Sequence, residues 1–227
     1  MGPRVGWRGL SVVITSGPTR ERLDPVRFLT NASTGRMGFA LAGAARTLGA
    51  RVVVVSGPTH LPPPRGVRVV PVTTALEMYR RTLELSRKAD LVIGAAAVGD
   101  WRFARRRDGK IKRSDRPLSV TLVPNPDILA ALGRRRSRAG SSSPALVGFA
   151  LETGRWLDRA RGKLRRKRLD AVVANQPASL ASGKTLFAVV TKEGDSVFFP
   201  RMTKERAARE ILGLVRRYLP RGGSCLS

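Results

Sequence analysis

The side chains able to do chemistry in this sequence gather in five short segments. The first pairs Ser16-Gly17-Pro18-Thr19 with Asn31-Ala32-Ser33-Thr34-Gly35. Small residues there let backbone N–H groups approach an anion, and a following helix would add a favourable dipole; an ordinary capped helix start has the same composition. The second is Ala95-Ala96-Ala97-Val98-Gly99-Asp100. It admits a flat ligand against backbone, with Asp100 accepting from a ribose hydroxyl or holding a magnesium-bound water; a small-residue strand end with Asp in a turn is the alternative. The third, Lys110-Ile111-Lys112, could neutralise a triphosphate or simply face solvent. The fourth, Asn125-Pro126-Asp127-Ile128, signals a helix start, with Asn at the cap, Pro in the first turn and Asp favouring the dipole. The fifth is Lys163 and Lys167, four residues apart and so on one helical face, which a solvated surface would also explain.

What is missing narrows the chemistry. The first segment lacks the Gly-Lys-Ser/Thr ending of a Walker A loop and the Gly-x-Gly-x-x-Gly of a dinucleotide site, which disfavours an NAD-dependent reductase. The chain has one histidine, His60, and one cysteine, Cys225. Zinc and Ser-His-Asp chemistries are therefore poorly supplied, no disulfide framework can form, and the ligands of any metal stay unknown.

The elements that must position these loops alternate. Leu10 to Thr15 reads as a buried strand, 35 to 48 as a helix ended by Gly49, and Arg51 to Val55 and Val67 to Val72 as strands. Thr74 and Glu77 form a capping box for the next helix. Leu91 to Ala97 is apolar on both sides, as a central parallel strand should be. The spacing predicts an α/β fold, a Rossmann-like, doubly wound and mainly parallel sheet. Ligands in such sheets lie beyond the carboxyl ends of the strands, which is where the five segments fall. The second half predicts a mobile flap over 98–115, a strand over 118–123, a Gly/Ser linker over 138–144, and strands at 145–150 and 170–174 flanking a basic helix. A C-terminal hairpin turns at Glu193-Gly194-Asp195, and a last helix starts at Thr203. One domain over 10–219 is expected, with an N-terminal extension over 1–9 and a flexible tail over 220–227.

The 227 residues carry 43 Lys+Arg against 16 Asp+Glu, a formal net charge of +27. That field favours polyanions, either nucleic acid or phosphorylated small molecules. The basic runs have no interleaved aromatics, so no specific nucleic-acid binding is expected. The longest apolar run, Leu91 to Val98, is too short to cross a bilayer, and the N-terminus lacks a signal-peptide core, so no membrane partner and a cytoplasmic location are expected.

Read in order, the loops resemble phosphopantothenoylcysteine synthetases, which join cysteine to 4′-phosphopantothenate in coenzyme A biosynthesis. The stretches carrying the resemblance include Asp24-Pro25-Val26-Arg27, Asn31-Ala32-Ser33-Thr34-Gly35-Arg36-Met37-Gly38, Ala95-Ala96-Ala97-Val98-Gly99-Asp100, Lys110-Ile111-Lys112, Asn125-Pro126-Asp127-Ile128 and Gly148-Phe149-Ala150-Leu151-Glu152-Thr153. The resemblance implies a ligase. The substrate carboxylate attacks the α-phosphate of CTP, pyrophosphate leaves, and the amine of free cysteine displaces CMP from the acyl-cytidylate. Mg2+ would accompany CTP. Such chemistry needs positioning and charge neutralisation more than a nucleophilic side chain, consistent with the sparse His and Cys.

Carried over by position, the resemblance implies that Asn31 holds the acyl-cytidylate and Lys110 acts from the flap. Ala95, Ala96, Ala97 and Asp100 would line the nucleotide, and Asn125, Pro126, Asp127 and Ile128 would cradle it. Phe149 would pack on it, and Lys163 and Lys167 would meet the triphosphate. Gly17, Ser33, Thr34 and Gly35 are candidate phosphate or substrate loops. A homodimer is implied, with the flap reaching across it. The resemblance starts near residue 10, so no flavin is expected and the decarboxylase of the pathway would be a separate protein. Three places depart from the family pattern. Gly99 replaces a usual Ala, Pro124 a frequent basic residue, and 176–184 lacks a Ser-Asp-x-Asn segment. The rival readings are a nucleotide-binding relative that has lost the ligase step and a basic nucleic-acid-binding protein.

Overall fold

The computed structural model describes residues 6–152, 154–175 and 184–219. Strand β1 (Ser11–Ser16) leads into a short hairpin, β2 (Arg20–Arg22) and β3 (Phe28–Thr30), and then into helix α1 (Arg36–Thr47). Next come β4 (Arg51–Ser56), β5 (Arg68–Pro71), α2 (Ala75–Leu85) and β6 (Leu91–Gly94). A second hairpin, β7 (Trp101–Phe103) with β8 (Leu122–Pro124), precedes α3 (Ile128–Arg138), β9 (Ala145–Leu151), α4 (Trp156–Lys167) and β10 (Ala171–Asn175). The described chain ends with β11 (Lys184–Thr191), β12 (Ser196–Thr203) and α5 (Lys204–Val215).

Eight strands form one sheet in the order β12-β11-β10-β9-β6-β1-β4-β5. The six from β10 to β5 are parallel, and β11 and β12 add an antiparallel edge. After β1 the chain moves to β4 and β5; after α2 it crosses back to β6 on the other side of β1. The direction of winding thus reverses between β1 and β6, and a crevice opens at their carboxyl ends.

Both faces of the sheet are covered, so the central strands are apolar throughout. Val12 and Ile14 of β1 and Leu91 and Ile93 of β6 join α1 and α5 in one core. Val13 and Val92 point the other way, into a core with Met78 of α2, Leu132 of α3 and Leu164 of α4. Trp7, which precedes β1, is 2% exposed in the first core. No helix among the described residues is long and apolar enough to cross a membrane.

Several expectations change in detail. The capping box at α2 is present, with the Thr74 side chain accepting from the Glu77 N–H and Glu77 reaching back to the cap backbone. At α3 the cap is Asp127 rather than Asn125, because the Asp127 carboxylate accepts the Ala130 N–H. β6 stops at Gly94 and the three alanines run on as irregular backbone. The segment read as a mobile flap begins as the β7–β8 hairpin and docks on the turn between β2 and β3. There Asp24 accepts the N–H groups of Val26, Arg27 and Ile111 and the Arg27 guanidinium. Burial of Asp24 opposes its charge, but these bonds outweigh it and hold its pKa down to about 2. The altered 176–184 segment lies outside the described residues except for Lys184.

Candidate functional site

Five buried or half-buried polar contacts shape the backbone after β6. The Thr15 hydroxyl accepts the Ala96 N–H at 3.3 Å, and the Gly17 carbonyl accepts the Ala97 N–H at 3.0 Å. Thr19, fully buried, accepts the Gly99 N–H at 2.9 Å. From the other side, Asn125 Nδ2 donates to the Gly99 carbonyl at 2.8 Å, and its N–H donates to the Asp100 carbonyl. These contacts fix a shelf of small residues with Asp100 at its rim. Gly99 is roomy: an added Cβ would meet nothing closer than the Thr19 hydroxyl at 3.4 Å, so the usual Ala would fit.

Two adjoining cavities open over this shelf. The first, ≈ 650 Å³ including its open mouth, is bounded by the shelf, the Asn125–Ile128 turn, Phe149, Lys163 and Lys167. The second, ≈ 1360 Å³ on the same measure, is bounded by Asn31 and Ser33 to Met37 on one side. Leu151, Glu152, Asn175, Thr185 and Lys204 bound its other side. Ala96, Val98, Asp100, Phe149 and Lys163 line both, so the cavities share one wall.

Electrostatics divides the two lysines of α4. Lys167 pairs with Asp127 at 2.6 Å. Burial opposes the Asp127 charge, but Lys167 and the Ala130 N–H keep its pKa below the usual carboxylate value. Lys163 donates to the Phe149 carbonyl at 2.5 Å, and its pKa is lowered first by burial and then by neighbouring Lys167. Lys163 is thus a desolvated cation facing both cavities, a setting an anionic ligand would relieve.

Asn31 follows β3 and spans to the shelf, its Nδ2 donating to the carbonyls of Ala97 (3.2 Å) and Val98 (3.1 Å). That orientation fixes the amide and leaves Oδ1 as the acceptor toward the second cavity. Gly35 caps α1 with φ +79, and a Cβ there would press on Gly17 and Ser16 at 3.2 Å. Gly17 lines neither cavity; with φ +76 it sits 3.0 Å, by its missing Cβ, from the Gly57 carbonyl and shapes the turn behind the shelf. Lys110 also lines neither cavity within one chain, because the flap is held at the Asp24 turn. Every other residue given a site role by the resemblance borders one or both cavities. Thr15, Arg36, Glu152, Asn175, Thr185 and Lys204 also border the cavities, and none of them was assigned a site role from the sequence. The one available signal was Lys204, a cation directly after the Thr203 cap.

A protein-family model, the DNA/pantothenate metabolism flavoprotein C-terminal domain, matches residues 7–218. The coenzyme A biosynthesis bifunctional protein CoaBC of Haemophilus influenzae is 37% identical over 214 residues, 93% of this chain and 52% of that protein. CoaBC of Bacillus subtilis is 41% identical over 209 residues, 90% of this chain and 50% of that protein. The chain therefore spans about half the length of these curated relatives. The crystal structure of a CoaBC C-terminal domain superposes with a TM-score of 0.80 at 35% identity, covering 94% of this chain and 97% of that one. A Cab2 mutant in complex with phosphopantothenate-cysteine shares the fold, with a TM-score of 0.73 at 22% identity over 93% of this chain and 88% of that one. The chain belongs to the family of the DNA/pantothenate metabolism flavoprotein C-terminal domain, in keeping with the phosphopantothenoylcysteine synthetase motifs of its loops.

Proposed function

We propose that the protein joins 4′-phosphopantothenate to cysteine, activating the carboxylate with CTP and releasing pyrophosphate and CMP. The observation that carries this reading is the pair of cavities with a shared wall. A two-step acyl transfer needs a nucleotide and an acyl substrate side by side, meeting where the new bond forms. In this reading the nucleotide occupies the first cavity, cradled by the α3 N-terminus, whose N–H groups and dipole favour an anion. The acyl substrate occupies the second.

The carboxylate oxygen attacks the α-phosphorus and the bond to pyrophosphate breaks. Lys163, at the shared wall, neutralises the charge gathering on the phosphate oxygens. Cysteine's amine then attacks the acyl carbon, and the acyl–oxygen bond breaks with the oxygen leaving on CMP. Asn31 Oδ1 accepts from the attacking amine, and its Nδ2, bound to the shelf, holds it in register with Asp100. Mg2+ would arrive on the triphosphate and spread its charge. Among the described residues no cluster of three potential ligands forms a metal cage, and Asp100 is the carboxylate bordering both cavities. One carboxylate plus phosphates and water suits magnesium's habits. The product keeps cysteine's carboxyl group and would pass to a decarboxylase.

Both hairpins leave apolar side chains in solvent, among them Val26, Phe28, Leu29, Trp101, Leu118 and Val120. A second copy covering these arms gives the homodimer of this reading and would carry Lys110 to a neighbouring site. Sedimentation at equilibrium tests it; a monomer at assay concentrations would contradict the dimer.

The test of function is pyrophosphate release from CTP, 4′-phosphopantothenate and Mg2+, with and without cysteine. The reading expects release that turns over only with cysteine and yields CMP. No release from folded protein that still binds CTP would point to a relative that has lost the ligase step.

A further inference from the structure

The positive charge of the chain is not spread evenly over the fold. Helices α2, α3 and α4 cover one face of the sheet and carry twelve Lys and Arg against three Asp and Glu. Helices α1 and α5, on the other face, carry five against two. Each of α2, α3 and α4 precedes a parallel strand and runs opposite to it. Their C-termini therefore meet at the edge where the strands begin, away from the two cavities. Two arginines tie these ends together. Arg135 of α3 donates to the Leu83 carbonyl at 3.0 Å and to the Ser86 hydroxyl at 2.8 Å, at the end of α2. Arg136 donates to the Arg168 carbonyl, at the end of α4, and pairs with Asp170.

Seven further cations surround this junction. Arg87 and Lys88 follow α2, Arg134 and Arg138 project from the second half of α3, and Arg165, Arg166 and Arg168 close α4; all are exposed. Among the described residues none of the seven has a carboxylate partner. Asp170 holds Arg136 and Lys192, Glu84 holds Arg81, and Asp90 accepts the Ser11 N–H. Helix dipoles favour cations in a last turn, but each helix end carries only roughly half a negative charge, so three ends leave most of the seven uncompensated.

The character of the junction selects its partner. A face of one sign repels its own copy, so a second chain is not seated there. None of the large apolar side chains left exposed belongs to α2, α3 or α4. The junction therefore lacks the apolar centre of a stable protein interface and the apolar face of a membrane-bound helix. A partner held by charge alone remains, and the phosphate backbone of nucleic acid is held in that way. Six of the seven cations are arginines, whose planar fork matches phosphate oxygens. With no aromatic side chain among them the bases go unread, so the binding is independent of sequence.

We propose that the junction of the C-terminal ends of α2, α3 and α4 is a landing surface for nucleic acid, held through its backbone phosphates. The surface is separate from the ligase reading, because none of the seven cations borders either cavity.

The experiment follows fluorescence anisotropy of short labelled DNA and RNA duplexes of unrelated sequences across a salt series. Wild type is compared with a junction variant combining Arg134→Gln, Arg138→Gln, Arg165→Gln and Arg166→Gln. A control variant combines Arg8→Gln, Arg65→Gln, Arg68→Gln and Arg209→Gln, which removes the same charge from exposed positions outside the junction. Thermal melting confirms that both variants are folded. Each lost phosphate contact lowers the slope of log affinity against log salt by about 0.9, so the junction variant should flatten it by up to about 3.6. Its affinity at low salt should fall about a hundredfold or more, while the control stays within about fivefold of wild type. Equal binding of unrelated sequences supports the proposal, and the tighter of DNA and RNA names the polymer. Equal weakening by both variants would reduce the effect to net charge and overturn it. So would wild type that binds neither duplex at physiological salt. Tighter binding of polyglutamate or of phosphatidylserine vesicles through the same arginines would assign the surface to another partner and overturn it as well. Pyrophosphate release should be the same in the junction variant and wild type, so loss of the ligase reading leaves this result standing.

Discussion

Replacing Lys163 with Met should move ligand affinity and fold stability in opposite directions. In the free protein the ammonium is partly desolvated, sits near Lys167, and has the Phe149 carbonyl as its hydrogen-bond partner at 2.5 Å. Methionine keeps the stem and removes the charge. Phe149 borders both cavities, so water entering them is expected to take the ammonium's place at its carbonyl. The folded state should therefore melt at the same temperature or higher, as when a strained functional group is removed. A charged contact to phosphate contributes about 1.5–3 kcal/mol, so CTP affinity should fall about 10- to 150-fold. The pH dependence follows from the lowered pKa. The unfolded lysine keeps its proton up to the ordinary value of 10.5, whereas the folded one gives it up earlier. Wild-type affinity for CTP should therefore decline with rising pH before the ordinary lysine range is reached, and the variant should lack this limb. The stability gap has the matching sign: it is fully present below the folded pKa and closes as pH rises from there toward 10.5, where the unfolded state binds more protons. Calorimetry for affinity and differential scanning for melting read both arms. A variant that melts lower while binding CTP as wild type does would make Lys163 a structural residue with no part in nucleotide binding.

Three further perturbations probe the scaffold. Asp127→Ala removes the α3 cap and the partner of Lys167, and should cost about 1–2 kcal/mol in chemical denaturation while weakening CTP. Gly133→Ala, which in a free helix would stabilise by up to about 1 kcal/mol, should instead destabilise by about 1–3 kcal/mol. Its Cβ would lie 2.1 Å from the Lys167 carbonyl, prising α3 from the end of α4, and denaturant midpoints report the sign. Asp24, with its pKa held at about 2, should keep the flap docked at neutral pH and release it as the solution is acidified from about 3.8 toward 2. Hydrogen exchange at the Ile111 N–H should then show protection lost in that window, and lost at every pH in Asp24→Asn.

The sequence was most legible where local chemistry and fold agree. The βα alternation, the Thr74–Glu77 box and the Glu193-Gly194-Asp195 turn all appear where composition put them. The loops at the strand ends could be found because a parallel sheet gathers them at one edge whatever their spacing in the chain. Illegible parts have physical reasons. Strands of three residues, as in β2, β3, β7 and β8, are too short to show a period, so the flap hid a hairpin. Asn125 and Asp127 are both good caps, and only the folded backbone decides that Asp127 reaches the Ala130 N–H while Asn125 turns to the Gly99 carbonyl. The far wall of the second cavity, Asn175, Thr185 and Lys204, meets Asn31 through pairing of distant strands, which no local pattern records.

In the proposed reaction the substrate carboxylate is activated on the α-phosphate and its oxygen leaves with the nucleotide. The most direct measurement uses 4′-phosphopantothenate carrying 18O in the carboxylate, turned over with CTP, Mg2+ and cysteine, and read by mass spectrometry of the nucleotide product. The account predicts CMP containing one 18O atom, and a cysteine-reactive acyl-cytidylate that accumulates when cysteine is withheld. Unlabelled CMP, or CDP and inorganic phosphate in place of CMP and pyrophosphate, would contradict it.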